Sequence, residues 1–222
     1  MTLPPHPSTL APTALIDSDH PAVVEFAQRA TGANARERAI SLYYLVRDGF
    51  RYDPYRLDIT PAGMRASRVL KAGYGWCVPK AALLAAAARV IGIPARVGYA
   101  DVRNHLSTER FRELMQTDVY TWHGYTELWL DDAWVKATPA FNLALCERFG
   151  ILPLDWDGRT DSLYHPYDRE GRRHMEYVKQ RGSFDDMPLA QIAADFAVTY
   201  PRWLASTMAD ADFERDVERE NQ

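Results

Sequence analysis

The stretch Lys71–Val102, KAGYGWCVPKAALLAAAARVIGIPARVGYADV, decides how this chain is read. Gly73 and Gly75 make a flexible approach, and Pro79, lacking an N–H, suits only the first turn of a helix. Lys80–Ile91 is then an Ala/Leu-rich helix, which Gly92, Ile93 and Pro94 stop. Cys77 therefore stands at a helix N-terminus, where unpaired N–H groups and the helix dipole favour a thiolate. Ala81, Ala82, Ala85, Ala86, Ala87 and Ala88 leave little bulk on the helix, which suits a central helix pressed against a sheet and buried on several sides. A free cysteine is more commonly a small buried hydrophobe, so Cys77 needs a partner before catalysis follows.

On the N-terminal side, residues 1–20 with Pro21 hold five prolines and little periodicity, predicting an extended arm that lies on the body or is partly disordered. Asp19 is a possible cap for a helix over Pro21–Ala30. A second helix over Ala35–Phe50 places Ala39, Leu42, Tyr43, Val46 and Phe50 on one face. Residues 51–64 break the pattern as loop, and Arg65–Leu70 form a short helix. On the C-terminal side, Ala95–Val102 reads as strand, Glu109–Met115 as an inserted helix, and Tyr120–Leu130 with Trp134–Ala137 as an antiparallel hairpin turning at Asp131-Asp132. Beyond Pro139 the pattern gives a short helix over Leu143–Phe149 and a polar loop, read as a solvated lid, over about 155–175. A final helix runs from Leu189 to about Val217, kinked near Pro201.

The domain reading is a single domain over 21–222, with its core at about 35–142 and an extension over 143–222. At 47% hydrophobic and 12% aromatic residues the chain can bury a sizeable core. Its 26 Lys and Arg are outnumbered by 30 Asp and Glu, giving a net charge of -4 and arguing against nucleic acid as a partner. No run approaches a membrane span and the start lacks a signal-peptide pattern, so the expectation is a cytoplasmic protein. The only two cysteines, Cys77 and Cys146, make no disulfide framework; Cys146 reads as a packed thiol.

A thiol nucleophile needs a base, and His123, on the strand that follows this helix-plus-strand unit, can reach the helix start in an α+β fold. In order and spacing, GYGWC (73–77), GIPAR (92–96), WHGYTELWL (122–130) and WVKATP (134–139) resemble the transglutaminase-like superfamily, whose core has a papain-like arrangement. The resemblance covers roughly residues 35–142. It implies an α+β fold with a papain-like, transglutaminase-like core, in which a helix packs centrally on an antiparallel sheet. It also implies Cys77 as nucleophile and His123 as its base.

Where that family usually places an aspartate to orient the histidine, this chain has Thr138. The hairpin register would pair 123 with 140 and leave 138 on the same face, so Thr138 is a candidate orienter, balanced against plain strand packing. Its hydroxyl can accept from imidazole but carries no charge. Asn142 and an aspartate of the 155–161 loop are alternatives; Glu127 lies about 13 Å along the strand from His123, too far to orient it. For the oxyanion, the Cys77 N–H is the natural donor, with the Trp76 indole a second; Trp122, Tyr125, Trp129 and Trp134 are candidates to line an acyl-substrate groove.

The expected activity is attack by Cys77 on a peptide or protein carboxamide, through an acyl-thioester resolved by water or an amine. Hydrolysis is preferred, with protease, amidase and transglutaminase all open and no cofactor or metal implied. The rival readings are an inactive binding or scaffold module, which Thr138 motivates, and a metal-dependent hydrolase using His165, Asp168, His174 and Glu176. Neither substrate identity nor oligomeric state follows from these residues.

Overall fold

A computed structural model describes residues 4–105, 107–163, 175–206, 208 and 211–220. A 3-10 turn at Pro7–Thr9 opens the described chain, and Leu15 and Ile16 are buried in the common hydrophobic core. Helix α1 (Pro21–Ala27) is capped by the His20 ring rather than by Asp19: the Ala22 N–H donates to His20 Nδ1 at 3.2 Å. Helix α2 (Ala35–Gly49) starts with a reciprocal cap, the Glu37 N–H donating to Asn34 Oδ1 and the Ala33 N–H to Glu37 Oε2. Its predicted face, Ala39, Leu42, Tyr43, Val46 and Phe50, is buried.

Within the loop expected over 51–64, β1 (Arg51–Tyr52) pairs in parallel with β2 (Tyr74–Gly75), bringing Tyr52 beside the approach to Cys77. Helix α3 (Ala66–Ala72) lies between them and ends on Gly73 at φ 75°, a left-handed position that costs glycine little. Helix α4 (Cys77–Val90) follows. Every residue from Cys77 to Arg89 is buried, as its alanines predict for a helix enclosed on all sides.

The main sheet is antiparallel, in the order β5-β4-β3-β6. Its strands are β3 (Ala95–Asn104), β4 (Val119–Leu130), β5 (Ala133–Ala137) and β6 (Met175–Phe184), with α5 (Glu109–Met115) inserted between β3 and β4. Helix α4 packs on β3 and β4, with α1, α2 and α3 around it. The hairpin turns at Asp131-Asp132, both in the left-handed region, and pairs Thr126 with Ala137, the register the sequence predicts; β5 ends there, before 123 and 140 can pair.

Two expectations are corrected. Strand β6 was not anticipated, because its residues are exposed or half-buried after Met175 and show no clean alternation. The single kinked terminal helix is instead three: α7 (Leu189–Thr199), α8 (Pro201–Ala205) and α9 (Phe213–Glu220). Pro201 starts a new helix at N1, where its missing N–H costs nothing. Helix α6 (Leu143–Phe149) forms as predicted and carries Cys146, which is buried with its sulfur 3.9 Å from the Phe141 carbonyl oxygen.

Candidate active site

Cys77 is the first residue of α4, and the Trp76 side chain before it makes no capping hydrogen bond. The helix-start N–H groups of Cys77 and Val78, together with the N–H of Gly124 on β4, instead act on the Cys77 sulfur and favour its thiolate. Gly124 is there because nothing larger fits. A Cβ on it would sit 2.9 Å from the Val78 Cα and 3.2 Å from the Cys77 carbonyl oxygen, so glycine lets β4 run directly across the nucleophile end of α4. One turn further along the helix, the Thr126 hydroxyl donates to the Ala81 carbonyl at 2.8 Å, and holds the two elements in register.

His123 precedes Gly124, at a place where the strand is irregular. The β3–β4 register slips between Ala100 and Val102, and Trp122 has φ 60°. A bulged strand re-aims its side chains, and this one is fixed by charge. The Trp122 N–H donates to Asp101 at 3.1 Å and its indole N–H to Asp195 at 2.8 Å, while Arg181 bridges both carboxylates and lies over the Trp122 ring. Cys77 and His123 line one cavity of about 30 Å³, with Trp76, Tyr52, Phe111 and Trp203 among its other walls.

Both reactive groups rest neutral. Burial pushes the Cys77 thiol up to about 11, against the pull of the three N–H groups. Burial alone pulls His123 down to about 4, and its Nε2 is buried with no hydrogen-bond partner. A helix dipole contributes well under 2 kcal/mol, whereas full burial can move a group by several pKa units, so desolvation wins here. The pull of the helix start on the thiol is thus present but outweighed by burial.

Other candidates are used elsewhere. The Thr138 hydroxyl donates to the Leu163 carbonyl at 2.6 Å, not to His123. Asn142 accepts from the Tyr52 N–H at 2.9 Å and donates to Glu214 at 3.2 Å, and so ties β1 to α9. In the 155–161 loop, Asp155 meets Arg47, Asp157 caps its own turn and Asp161 accepts from the Lys136 N–H. None of these orients the imidazole. Trp122 and Tyr125 are not in the cavity wall: the Trp122 indole is committed to Asp195, and the Tyr125 hydroxyl accepts from Gln180 at 3.4 Å. Trp129 and Trp134 meet edge to face with each other and are not in that wall. Trp76 does line the cavity, packed on Phe196 and Trp203.

The sequence reading missed the walls contributed by Tyr52, Phe111, Met115, Phe196, Tyr200 and Trp203. The last three stand four and then three positions apart, a spacing that could have marked a helical face with a target. It also missed Lys80, which is 0% exposed and donates to the carbonyls of Arg47, Phe50 and Ala140 at 2.7–2.9 Å. Burial pushes this ammonium down to about 7, while three carbonyls needing three N–H donors oppose its deprotonation. Lys80 thus pins α4 to the end of α2 and to the segment after β5.

Of the metal-ligand candidates, His165, Asp168 and His174 lie outside the described residues, and Glu176 is 2.7 Å from His105 Nε2. Among the described residues no group of three or more His, Cys, Asp or Glu could hold a metal ion. No described helix is long and apolar enough to cross a membrane.

No curated protein matches the chain. Among solved structures it is similar to a Cytophaga hutchinsonii protein assigned provisionally as a cysteine protease, at 19% identity and TM-score 0.48, over 86% of this chain and 48% of that one. It is also similar to a Parabacteroides distasonis protein assigned provisionally as a protease, at 20% identity and TM-score 0.38, over 63% and 28%. The chain thus spans less than half the length of either structure. The family model described as "Transglutaminase-like superfamily" matches residues 24–139, just over half of the 222 residues and inclusive of Cys77, the GIPAR turn and His123. The chain belongs to the transglutaminase-like superfamily.

Proposed function

We propose that the protein is a cysteine-dependent enzyme in which Cys77 attacks the carbonyl of a peptide or protein carboxamide. The thiol proton passes to His123, the carbonyl carbon bonds to Sγ, and the amine leaves with that proton. Water then resolves the acyl-thioester; an amine acceptor would make the same enzyme a transglutaminase. The observation that carries this reading is that Cys77 and His123 line one cavity, with an imidazole held neutral and hence already in its base form. The N–H groups around Sγ, those of Cys77 and Gly124 included, are the nearest donors for the developing oxyanion. A thiol nucleophile works in its reduced form, which suits a reducing, cytoplasmic setting.

The test is acylation. Incubation with p-nitrophenyl acetate should release p-nitrophenolate in a burst stoichiometric with protein and add one acetyl group at Cys77, both absent in Cys77→Ser. A slow linear release with no adduct at Cys77 would overturn the proposal.

A second reading, a module that keeps the fold without turnover, is favoured by one observation: the described side chains offered as orienters of His123 are committed elsewhere. It predicts that Cys77 alkylates with iodoacetamide yet never acylates.

A further inference from the structure

One wall of the cavity over Cys77 is made by side chains that lie outside the family-matched residues 24–139. Phe196 stands on α7, Tyr200 between α7 and α8, and Trp203 on α8. The polar tips of Tyr200 and Trp203 are spent on anchoring. The Tyr200 hydroxyl accepts from the Thr121 N–H at 2.7 Å and donates to the Val119 carbonyl at 2.9 Å, and the Trp203 indole donates to the Pro54 carbonyl at 2.9 Å. What they leave to the cavity is ring surface, with Phe196 tilted against Trp76 at a centroid distance of 6.0 Å and Trp203 edge-on to it at 5.9 Å. No Asp, Glu, Lys or Arg is among the described residues that line it.

Two physical limits follow for whatever acylates Cys77. The cavity is partly open but narrow, about 30 Å³, so a slim group fits beside Cys77 while a bulky acyl chain meets the rings of the cover. A charged acyl chain would be stripped of water with no opposite charge to receive it. Resting on the acyl-transfer reading above, the geometry points to Phe196, Tyr200 and Trp203 as the residues that set acyl-group specificity, favouring a carbonyl carried on a slim, uncharged chain, such as a carboxamide side chain of a peptide, over one flanked by bulk or charge.

The experiment uses the full chain and four p-nitrophenyl esters: acetate, butyrate, phenylacetate and hemisuccinate. In each reaction the Sγ–acyl bond forms, the ester C–O bond breaks, p-nitrophenolate leaves and the thiol proton goes to His123. Rates are normalised to those of a small free thiol with the same ester. Acetate is expected to acylate Cys77 at least about tenfold faster than phenylacetate or hemisuccinate, with butyrate between. In Trp203→Phe and Trp203→Ala, phenylacetate should gain on acetate, by up to about tenfold in the alanine variant, while hemisuccinate stays slow.

Normalised rates that are equal for acetate, phenylacetate and hemisuccinate in the wild-type protein would overturn the inference, as would an unchanged preference in a folded Trp203→Phe. If Trp203→Ala loses its near-ultraviolet dichroism, the wild-type series and Trp203→Phe still decide. Acylation without discrimination removes the specificity inference alone. Alkylation of Cys77 by iodoacetamide with no acylation by any ester removes the catalytic reading, and this inference with it.

Discussion

The two sides of the Cys77 cavity are built differently. On the reactive side, α4 and β4 approach until Gly124 has no room for a methyl group, and the buried Lys80 ammonium ties the helix to two other segments. On the covering side, α7, α8 and α9 are short segments held by separate points. These are Asp195 with Arg181 and Trp122, Trp203 with Pro54, Tyr200 with β4, and Glu214 with Asn142 and Arg148. The outer face of α7 even leaves Val198 exposed. Ile192, Phe196, Trp203 and Val217 bury their side chains in the common core, but short helices tied by separate polar contacts give way more readily than the continuously packed α4–β4 side. Precision of the reacting atoms and access to them are thus assigned to different parts of the chain.

Four expected outcomes test that division, from the largest effect down. Cys77→Ser should lower the rate of acylation by p-nitrophenyl acetate by on the order of ten-thousandfold or more, read from the burst phase. A smaller loss would mean that the reactive side is not where the chemistry happens. Lys80→Met orphans three buried carbonyls and should destabilise the protein by roughly 3–5 kcal/mol, measured as a shift in urea midpoint. A change below about 1 kcal/mol would show that the reactive side is not braced by this residue.

His123 gives a test with a sign. Its folded value of about 4 lies below the ordinary 6.5, so between those two pH values the unfolded chain binds a proton that the folded chain refuses. Stability therefore falls as pH drops from 6.5 to about 4, by about 3 kcal/mol in all, and is unaffected by this residue above 6.5. His123→Gln should flatten that limb in urea denaturation series at several pH values. An unchanged limb would place the imidazole in water. The smallest effect falls on the cover: Asp195→Asn weakens a partly exposed ion pair worth about 1 kcal/mol, so iodoacetamide should label Cys77 several-fold faster. Labelling slower than wild type would mean that the latch does not restrain α7.

How much of this was legible in the sequence depended on whether the signal was local. Helix α4 was, because proline, glycine and an alanine run each fix backbone behaviour within a few residues. The hairpin register was, because the Asp131-Asp132 turn sets the partners of Thr126 and Leu128. Strand β6 was not: it lies at the edge of the sheet and is half-exposed, so alternation is faint. The roles of Thr138 and Asn142 were not legible either. A hydroxyl or amide spends its hydrogen bonds on whichever carbonyl, N–H or carboxylate the fold brings near, here those of Leu163, Tyr52 and Glu214.

Taken by itself, the amino-acid order determined that a cysteine opens a helix, that a histidine follows on a strand, and that both belong to one superfamily core. Those properties are set by residues close together in the chain. Only the tertiary structure decided that Sγ and the imidazole are buried and uncharged at rest, and that aromatic rings from residues 196–203 close over them. Desolvation and enclosure depend on what arrives from distant parts of the chain, and no local pattern around Cys77 carries that information.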